Sequence, residues 1–308
     1  MRYHCRYWYL RATHATGMKE IIKYPYATHH VALPGHCNIA YMDEGKGSHT
    51  ILFIHGLANY APVWKKNIEQ LKNHFRCIAI DLPGNGLSDQ HEHKFSMQFY
   101  ADAVFHFIEA LSLKNVCLAG HSMGGQIALT TLIKYPSCAE ALVLVAPAGM
   151  EVFTAMDKAM YYGTLRMFDF VSNDEQNLRT TLESSFFRQQ AQADGIVKEL
   201  TALMKTYKMN YYRRMIEASI KSMLEEPVYD KLHHVRQKTL VLFGEQDALI
   251  PNKLLHHGTT ESIAKTGVQK MPNAVLVMLP DCGHFLQWEQ AEHVNGHIAA
   301  FLHGEPIH

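Results

Sequence analysis

VCLAGHSMGGQIAL, residues Val116 to Leu129, decides how the rest of the chain is read. An apolar run ends in Gly120-His121-Ser122-Met123-Gly124, and a helix-compatible segment follows at once. Strand, tight turn and helix form the setting in which G-x-S-x-G presents a nucleophile. A serine at the tip of so sharp a turn takes up a strained backbone conformation, and side chains at Gly120 and Gly124 would collide with neighbouring backbone. The turn lifts Ser122 Oγ out of the sheet edge. It also aims the Met123 N–H, at the helix start, toward the place where an oxyanion would form.

Working outward, short apolar runs alternate with helical spacing. Val31–Leu33 and Asn38–Met42 are strand candidates separated by the turn pair Pro34-Gly35. Ile51–Ile54 and Cys77–Ile80 are continuous apolar runs, the mark of strands buried on both faces. The first ends in His55-Gly56-Leu57-Ala58, the second in the glycine-rich loop Asp81 to Asp89. Helices are predicted over Val63–Asn73 and Phe95–Leu111, the latter with Phe99, Ala103, Phe107 and Ala110 in register. Ala141–Ala146 is a further strand. The alternation predicts parallel strands joined by crossovers.

The rhythm breaks at Glu151. From there to Val235 no buried strand pattern appears, and helical patterns rich in Met, Tyr and Phe predict an inserted helical lid, residues 151–235. The core resumes at 236 with a strand at Thr239–Phe243, a helix after Pro251, a strand at Ala274–Leu279 and a last helix at Phe285–Leu302. Residues 18–150 and 236–308 thus form the two halves of one core. Residues 1–17 read as an extension ahead of the natural start at Met18.

Ligands of such sheets sit beyond the carboxyl ends of the strands. Ser122, Asp247 in Gly244-Glu245-Gln246-Asp247, and His284 in Pro280-Asp281-Cys282-Gly283-His284 each follow a strand. From about Met18 onward the chain resembles the α/β-hydrolases, nearest the lid-bearing esterase, monoacylglycerol lipase and meta-cleavage-product hydrolase group. The resemblance rests on the His55-Gly56 loop, the Asp81-to-Ser88 loop, the Ser122 elbow and the Asp247 and His284 loops, in that order. It implies an α/β fold with a mostly parallel central sheet of about eight strands, flanked by helices and carrying the lid.

The resemblance also implies roles. Ser122 is the nucleophile, His284 the general base and acid, and Asp247 the orienting acid. The backbone N–H groups of Leu57 and Met123 form the oxyanion hole. His55 and Gly56 support the oxyanion loop, and His121 flanks the nucleophile with its ring directed elsewhere. Two other acids compete with Asp247: Glu245, and Glu151, where some relatives place the acid. Asp81, Pro83, Gly84, Gly86 and Ser88 read as loop architecture, Asp89 is unexplained, and Cys282 reads as packing.

Composition narrows the class. The chain has 308 residues, and 29 basic residues balance 29 acidic ones, so no broad field favours nucleic acid. No apolar run is long enough to span a bilayer, although the basic-aromatic lead, with Arg2, Arg6, Arg11, Tyr3, Tyr7, Trp8 and Tyr9, leaves peripheral membrane contact open. Cys5, Cys37, Cys77, Cys117, Cys138 and Cys282 lie far apart without a C-x-x-C pair, which fits a reduced, cytoplasmic setting. The 21 histidines lack metal-ligand spacing, and His91-Glu92-His93 reads as polar loop, so no metal is expected. No cofactor is expected either, because serine, imidazole and carboxylate suffice. Oligomeric state is not legible.

Serine at the elbow argues against the aspartate-dependent dehalogenases and epoxide hydrolases. The expected activity is hydrolysis of a carboxylic ester, thioester or lactone of a small to medium apolar acyl group through an acyl-enzyme. An alternative is carbon–carbon hydrolysis of the meta-cleavage-product type, in which Arg166, Arg179, Arg188, Arg213 or Arg214 would bind a carboxylate; Gly-His-Ser rather than Gly-Asn-Ser favours the ester reading. A second alternative is a ligand-binding or signalling protein on the same fold.

Overall fold

The computed structural model describes residues 22–167, 175–187 and 194–307. The expected extension at 1–17, and Phe168 and Arg188 of the expected lid, lie outside the described residues. Strand β1 (Thr28–Leu33) turns through Pro34–His36, with Gly35 at φ 78°, into β2 (Cys37–Glu44). β3 (Thr50–Ile54) leads through a helical turn, Ala61–Trp64, into α1 (Lys65–Leu71) and β4 (Arg76–Ile80). Helix α2 (Met97–Ala110) precedes β5 (Val116–His121), α3 (Met123–Lys134) and β6 (Ala141–Val145).

After β6 the described residues form α4 (Ala155–Met167), α5 (Glu175–Glu183), α6 (Asp194–Met204) and α7 (Met209–Glu225), with no strand among them. The core continues with β7 (Lys238–Gly244), α8 (Thr260–Gln269), β8 (Ala274–Leu279), α9 (Leu286–Glu289) and α10 (Ala291–His303). The eight strands form one sheet in the order β1-β2-β4-β3-β5-β6-β7-β8. Only β2 runs antiparallel to its neighbours; β4-β3-β5-β6-β7-β8 are parallel.

Burial follows position in the sheet. β3 and β5, at its centre, are buried at every residue, which is why their sequences are continuous apolar runs. Each fully buried Ile, Leu or Phe there contributes about 1.5–3 kcal/mol of transfer free energy. β8 lies at the edge and is mostly half-exposed. Expected helix bounds shift for local reasons. α2 starts after Ser96, whose hydroxyl accepts the Phe99 N–H at 3.0 Å, and its buried stripe runs through Tyr100, Val104, Phe107 and Ile108, leaving Ala110 exposed. α8 begins at the Thr259 cap rather than directly after Pro251. The expected last helix is two, broken at Gln290, whose amide reaches back to the Pro280 carbonyl at 2.7 Å.

The helical segment between β6 and β7 packs onto the core through polar as well as apolar contacts. The Met97 N–H donates to Ser222 Oγ at 2.7 Å, and Gln126 Nε2 donates to the Met223 carbonyl at 3.0 Å. Tyr211, Tyr212, Met215, Ile216 and Ile220 form the buried face of α7. Among the described residues, Cys37, Cys77, Cys117, Cys138 and Cys282 are free thiols, and no helix is long and apolar enough to cross a membrane.

Candidate active site

Ser122 sits between β5 and α3 with φ 53° and ψ −119°, a conformation that L-residues rarely hold without surrounding constraint. The constraint is visible. A Cβ at Gly120 would lie 2.4 Å from the Gly124 carbonyl oxygen, and one at Gly124 would lie 2.3 Å from that of Ile54. The Ser122 N–H donates to the Val145 carbonyl, and its own carbonyl accepts the Ala148 N–H, each at 3.0 Å. The elbow is therefore pinned to β3 on one side and to the end of β6 on the other.

Asp247 and His284 come together at the ends of β7 and β8. Asp247 Oδ2 lies 2.8 Å from His284 Nδ1, while Oδ1 accepts the Leu249 and Ile250 N–H groups at 2.8 and 3.0 Å. Both carboxylate oxygens are thus used, and the pair is buried. Glu245 is exposed, and Glu151 pairs instead with His256 Nδ1 at 2.5 Å while accepting the Asn252 N–H at 2.8 Å. Neither competing acid is hydrogen-bonded to His284.

His121 joins the elbow to the His284 loop. Its Nε2 lies 3.0 Å from the His284 carbonyl oxygen, which can only accept, so Nε2 carries the hydrogen. The two rings lie 4.9 Å apart, centre to centre. Burial, and then the neighbouring His284, hold His121 well below the usual histidine range, so it is neutral. The Ser122 hydroxyl has no hydrogen-bond partner among the described residues, His284 included.

The loop after β3 completes the rim. A Cβ at Gly56 would lie 3.1 Å from Ser122 Cβ, so this loop abuts the elbow directly. His55 is buried; its Nε2 accepts the Leu82 N–H at 3.0 Å, which leaves Nδ1 to donate to the Gly56 carbonyl at 2.8 Å. Burial pushes His55 down to about 4, so the ring acts as a neutral bridge between two loops. Among the described residues, the Leu57 and Met123 N–H groups have no acceptor. Asp81 braces the same region, accepting from Ala61 N–H at 2.7 Å, Tyr24 Oη at 2.6 Å and Leu87 N–H at 2.8 Å. Burial lifts it to about 6 against those three bonds.

Several contributors were not singled out from sequence. Glu289 accepts the Gly283 N–H at 3.0 Å and the Phe187 N–H at 2.9 Å, tying the His284 loop to the helical segment. The His284 N–H itself donates to the Ser185 carbonyl at 2.9 Å, and Phe186 stacks on Phe285 at 4.8 Å. The signal available for Glu289 is weak: a carboxylate one residue after the apolar Trp288, among the polar Gln287 and Gln290. Tyr207 Oη accepts the Gly86 N–H at 2.7 Å. Of the candidate cations, Arg179 is paired with Glu183 and Asp194, and Arg214 with Glu92.

The alpha/beta hydrolase fold family matches residues 49–291 of the chain. The chain belongs to the α/β-hydrolase fold family. It is 26% identical over 268 residues to the uncharacterized hydrolase YugF of Bacillus subtilis strain 168, covering 84% of this chain and 92% of that one. It is 27% identical over 269 residues to a 2-hydroxy-6-oxononadienedioate/2-hydroxy-6-oxononatrienedioate hydrolase of Comamonas testosteroni, covering 84% and 89%. An esterase structure from Exiguobacterium antarcticum superposes with a TM-score of 0.76 at 20% identity, over 90% of this chain and all of that one. At that identity the structural likeness speaks for the shared fold. Family membership accounts for the sheet order and for the position of the elbow at its centre.

Proposed function

We propose that this protein, a hydrolase of the α/β fold, is a serine carboxylester hydrolase for small to medium apolar acyl substrates. The observation that carries the reading is the buried Asp247–His284 pair, tied through His121 to the strand end that bears Ser122, whose backbone is strained and whose hydroxyl has no partner among the described residues. Ser122 Oγ attacks the acyl carbon as its proton passes to His284 Nε2. The oxyanion is held by the Leu57 and Met123 N–H groups; losing one such donor typically costs about 2.7–4 kcal/mol of barrier. The imidazolium protonates the leaving alcohol, and water then repeats the sequence to release the acid and restore Ser122.

The helical segment between β6 and β7 acts as a lid in this reading, since its Ser185 carbonyl and Phe186 ring touch the His284 loop. Its Met and aromatic content suits an adaptable apolar pocket. The likeness to the Comamonas enzyme supports a second reading, carbon–carbon hydrolysis of a ring-cleavage product. The engagement of Arg179 and Arg214 with acidic side chains weighs against it, because that reaction needs a cation for the substrate carboxylate. Purified protein offered p-nitrophenyl butyrate and a ring-cleavage dienoate separates the two. Faster turnover of the ester supports the first, faster turnover of the dienoate the second, and tight binding without turnover of either points to a ligand-binding protein.

A further inference from the structure

Away from the elbow, one cluster gathers donors for which the proposed hydrolysis has no use. Cys37 opens β2, Asp89 closes the loop that follows β4, and His93 lies four residues further along. Their Sγ, carboxylate oxygen and imidazole nitrogen all lie within 4.8 Å of one another. Cys37 is 3% exposed, and the Asp89 and His93 side chains are 8% and 11% exposed. The donors are also oriented: His93 Nε2 lies 2.8 Å from Asp89 Oδ1, and the Asn38 N–H holds Oδ2. The His93 ring stacks on Phe99 at 4.8 Å.

We propose that Cys37, Asp89 and His93 form a binding site for a zinc-like divalent cation. Thiolate, imidazole and carboxylate are the three donor types zinc uses, at about 2.3, 2.0–2.1 and 2.0–2.2 Å. A tetrahedral ion at those distances needs donors about 3.5 Å apart, so the widest pair closes by about 1.3 Å at most, while His93 Nε2 and Asp89 Oδ1, 2.8 Å apart, open by about 0.7 Å. A water molecule takes the fourth position. The thiol and imidazole disfavour calcium and magnesium, which require oxygen ligands. The Asn38 N–H on the second carboxylate oxygen is the kind of outer-shell bond that fixes a metal ligand's orientation.

The proton balance follows from the metal-free geometry. Burial, and then the Asp89 carboxylate beside it, push the Cys37 thiol up to about 12, so it is protonated before metal arrives. Because Asp89 accepts, His93 Nε2 carries a hydrogen. The ion replaces both: the thiol proton leaves to solvent, and the neutral imidazole moves its hydrogen from Nε2 to Nδ1. Because the thiol proton must leave for the ion to bind, affinity rises with pH. The site would clamp β2 to a loop that meets α7 through Tyr211 Oη on the His91 carbonyl at 3.3 Å and through Arg214 on Glu92. It would brace the base of the helical segment rather than supply chemistry.

The test uses full-length untagged protein, stripped with chelator and titrated with Co²⁺ as a spectroscopic stand-in for Zn²⁺. One equivalent should raise a near-ultraviolet thiolate-to-cobalt band, displaced by one equivalent of Zn²⁺. Cys37→Ser should abolish the band. His93→Gln should keep a weakened band with Zn²⁺ bound at least about tenfold less tightly, since even outer-shell partners are worth about 10–100-fold. Should Cys37→Ser not fold, wild type and His93→Gln still decide. No thiolate band in wild type, a band that survives Cys37→Ser, or Zn²⁺ affinity unchanged in His93→Gln overturns the proposal and leaves a hydrogen-bonded cluster.

Discussion

His284 Nδ1 lies 2.8 Å from Asp247 Oδ2, across 37 residues of sequence, and both side chains are almost completely shielded from solvent. An ionised carboxylate only accepts, so the hydrogen on this imidazole is fixed on Nδ1 and Nε2 is left with its lone pair. That is the tautomer a general base needs. Asp247→Asn offers an amide N–H in place of an acceptor and favours the opposite tautomer. It should leave the fold intact and lower kcat by about 10⁴. A change under tenfold in ester turnover would show that Asp247 does not set the state of His284.

The elbow glycines make a different prediction. A Cβ at Gly124 meets the carbonyl oxygens of Ile54 and His55 at 2.3 and 2.6 Å, and both belong to the buried backbone behind the elbow. Gly124→Ala should cost about 1–3 kcal/mol in chemical denaturation, with a large loss of turnover. Gly163→Ala is the control: nothing lies within 4 Å of its added Cβ on α4, and the change should be neutral or stabilising by about 0.4–1 kcal/mol. Equal effects in the two variants would contradict the packing account.

Asp81 receives three donors and has no cation beside it among those contacts. Asp81→Asn turns an acceptor toward Tyr24 Oη, Ala61 N–H and Leu87 N–H into a donor for one of them. At least one buried donor loses its partner, a cost of about 1–3 kcal/mol. Urea denaturation of the variant checks this; unchanged stability would mean the amide is accommodated by water.

His256 lies between Glu151 and Asp157, at the junction of α4 with the loop after β7. Burial lowers its affinity for a proton, but the hydrogen bonds to Glu151 and Asp157 outweigh that and raise it. A raised folded value means the stabilisation is complete below the unfolded value, near 6.5, and is lost as pH climbs through the folded one. His256→Gln should therefore lower the melting temperature more at about pH 5.5 than at about pH 8.5. The same loss at both would rule out the charged pairing.

What the sequence could and could not disclose follows from the range of the interactions. β3 and β5 were legible because strands covered on both faces must be apolar throughout, and the elbow because G-x-S-x-G combines a nucleophile with two glycines that sterics require. The resemblance points to Asp247 as the acid, but local pattern alone does not separate it from Glu151. Both follow strands; what separates them is that Asp247 meets His284, 37 residues away, whereas Glu151 pairs with His256, 105 residues away. Asp89 has a local partner in His93, four residues on, but its bond from the Asn38 N–H spans 51 residues and no local pattern marks it. Apolar spacing on either side of Gln290 predicts one continuous last helix, whereas the break comes from a side chain reaching carbonyls that no local pattern marks.

Reaction with a fluorophosphonate tests the central claim most directly, because it reports the activated hydroxyl itself. Wild-type protein should take up one phosphonyl group on Ser122, located by peptide mass mapping, with ester hydrolysis lost in proportion to labelling. Ser122→Ala, folded by circular dichroism, should be unlabelled and inactive. Retained ester hydrolysis in that variant, or an inactivating adduct on another residue, would contradict the account.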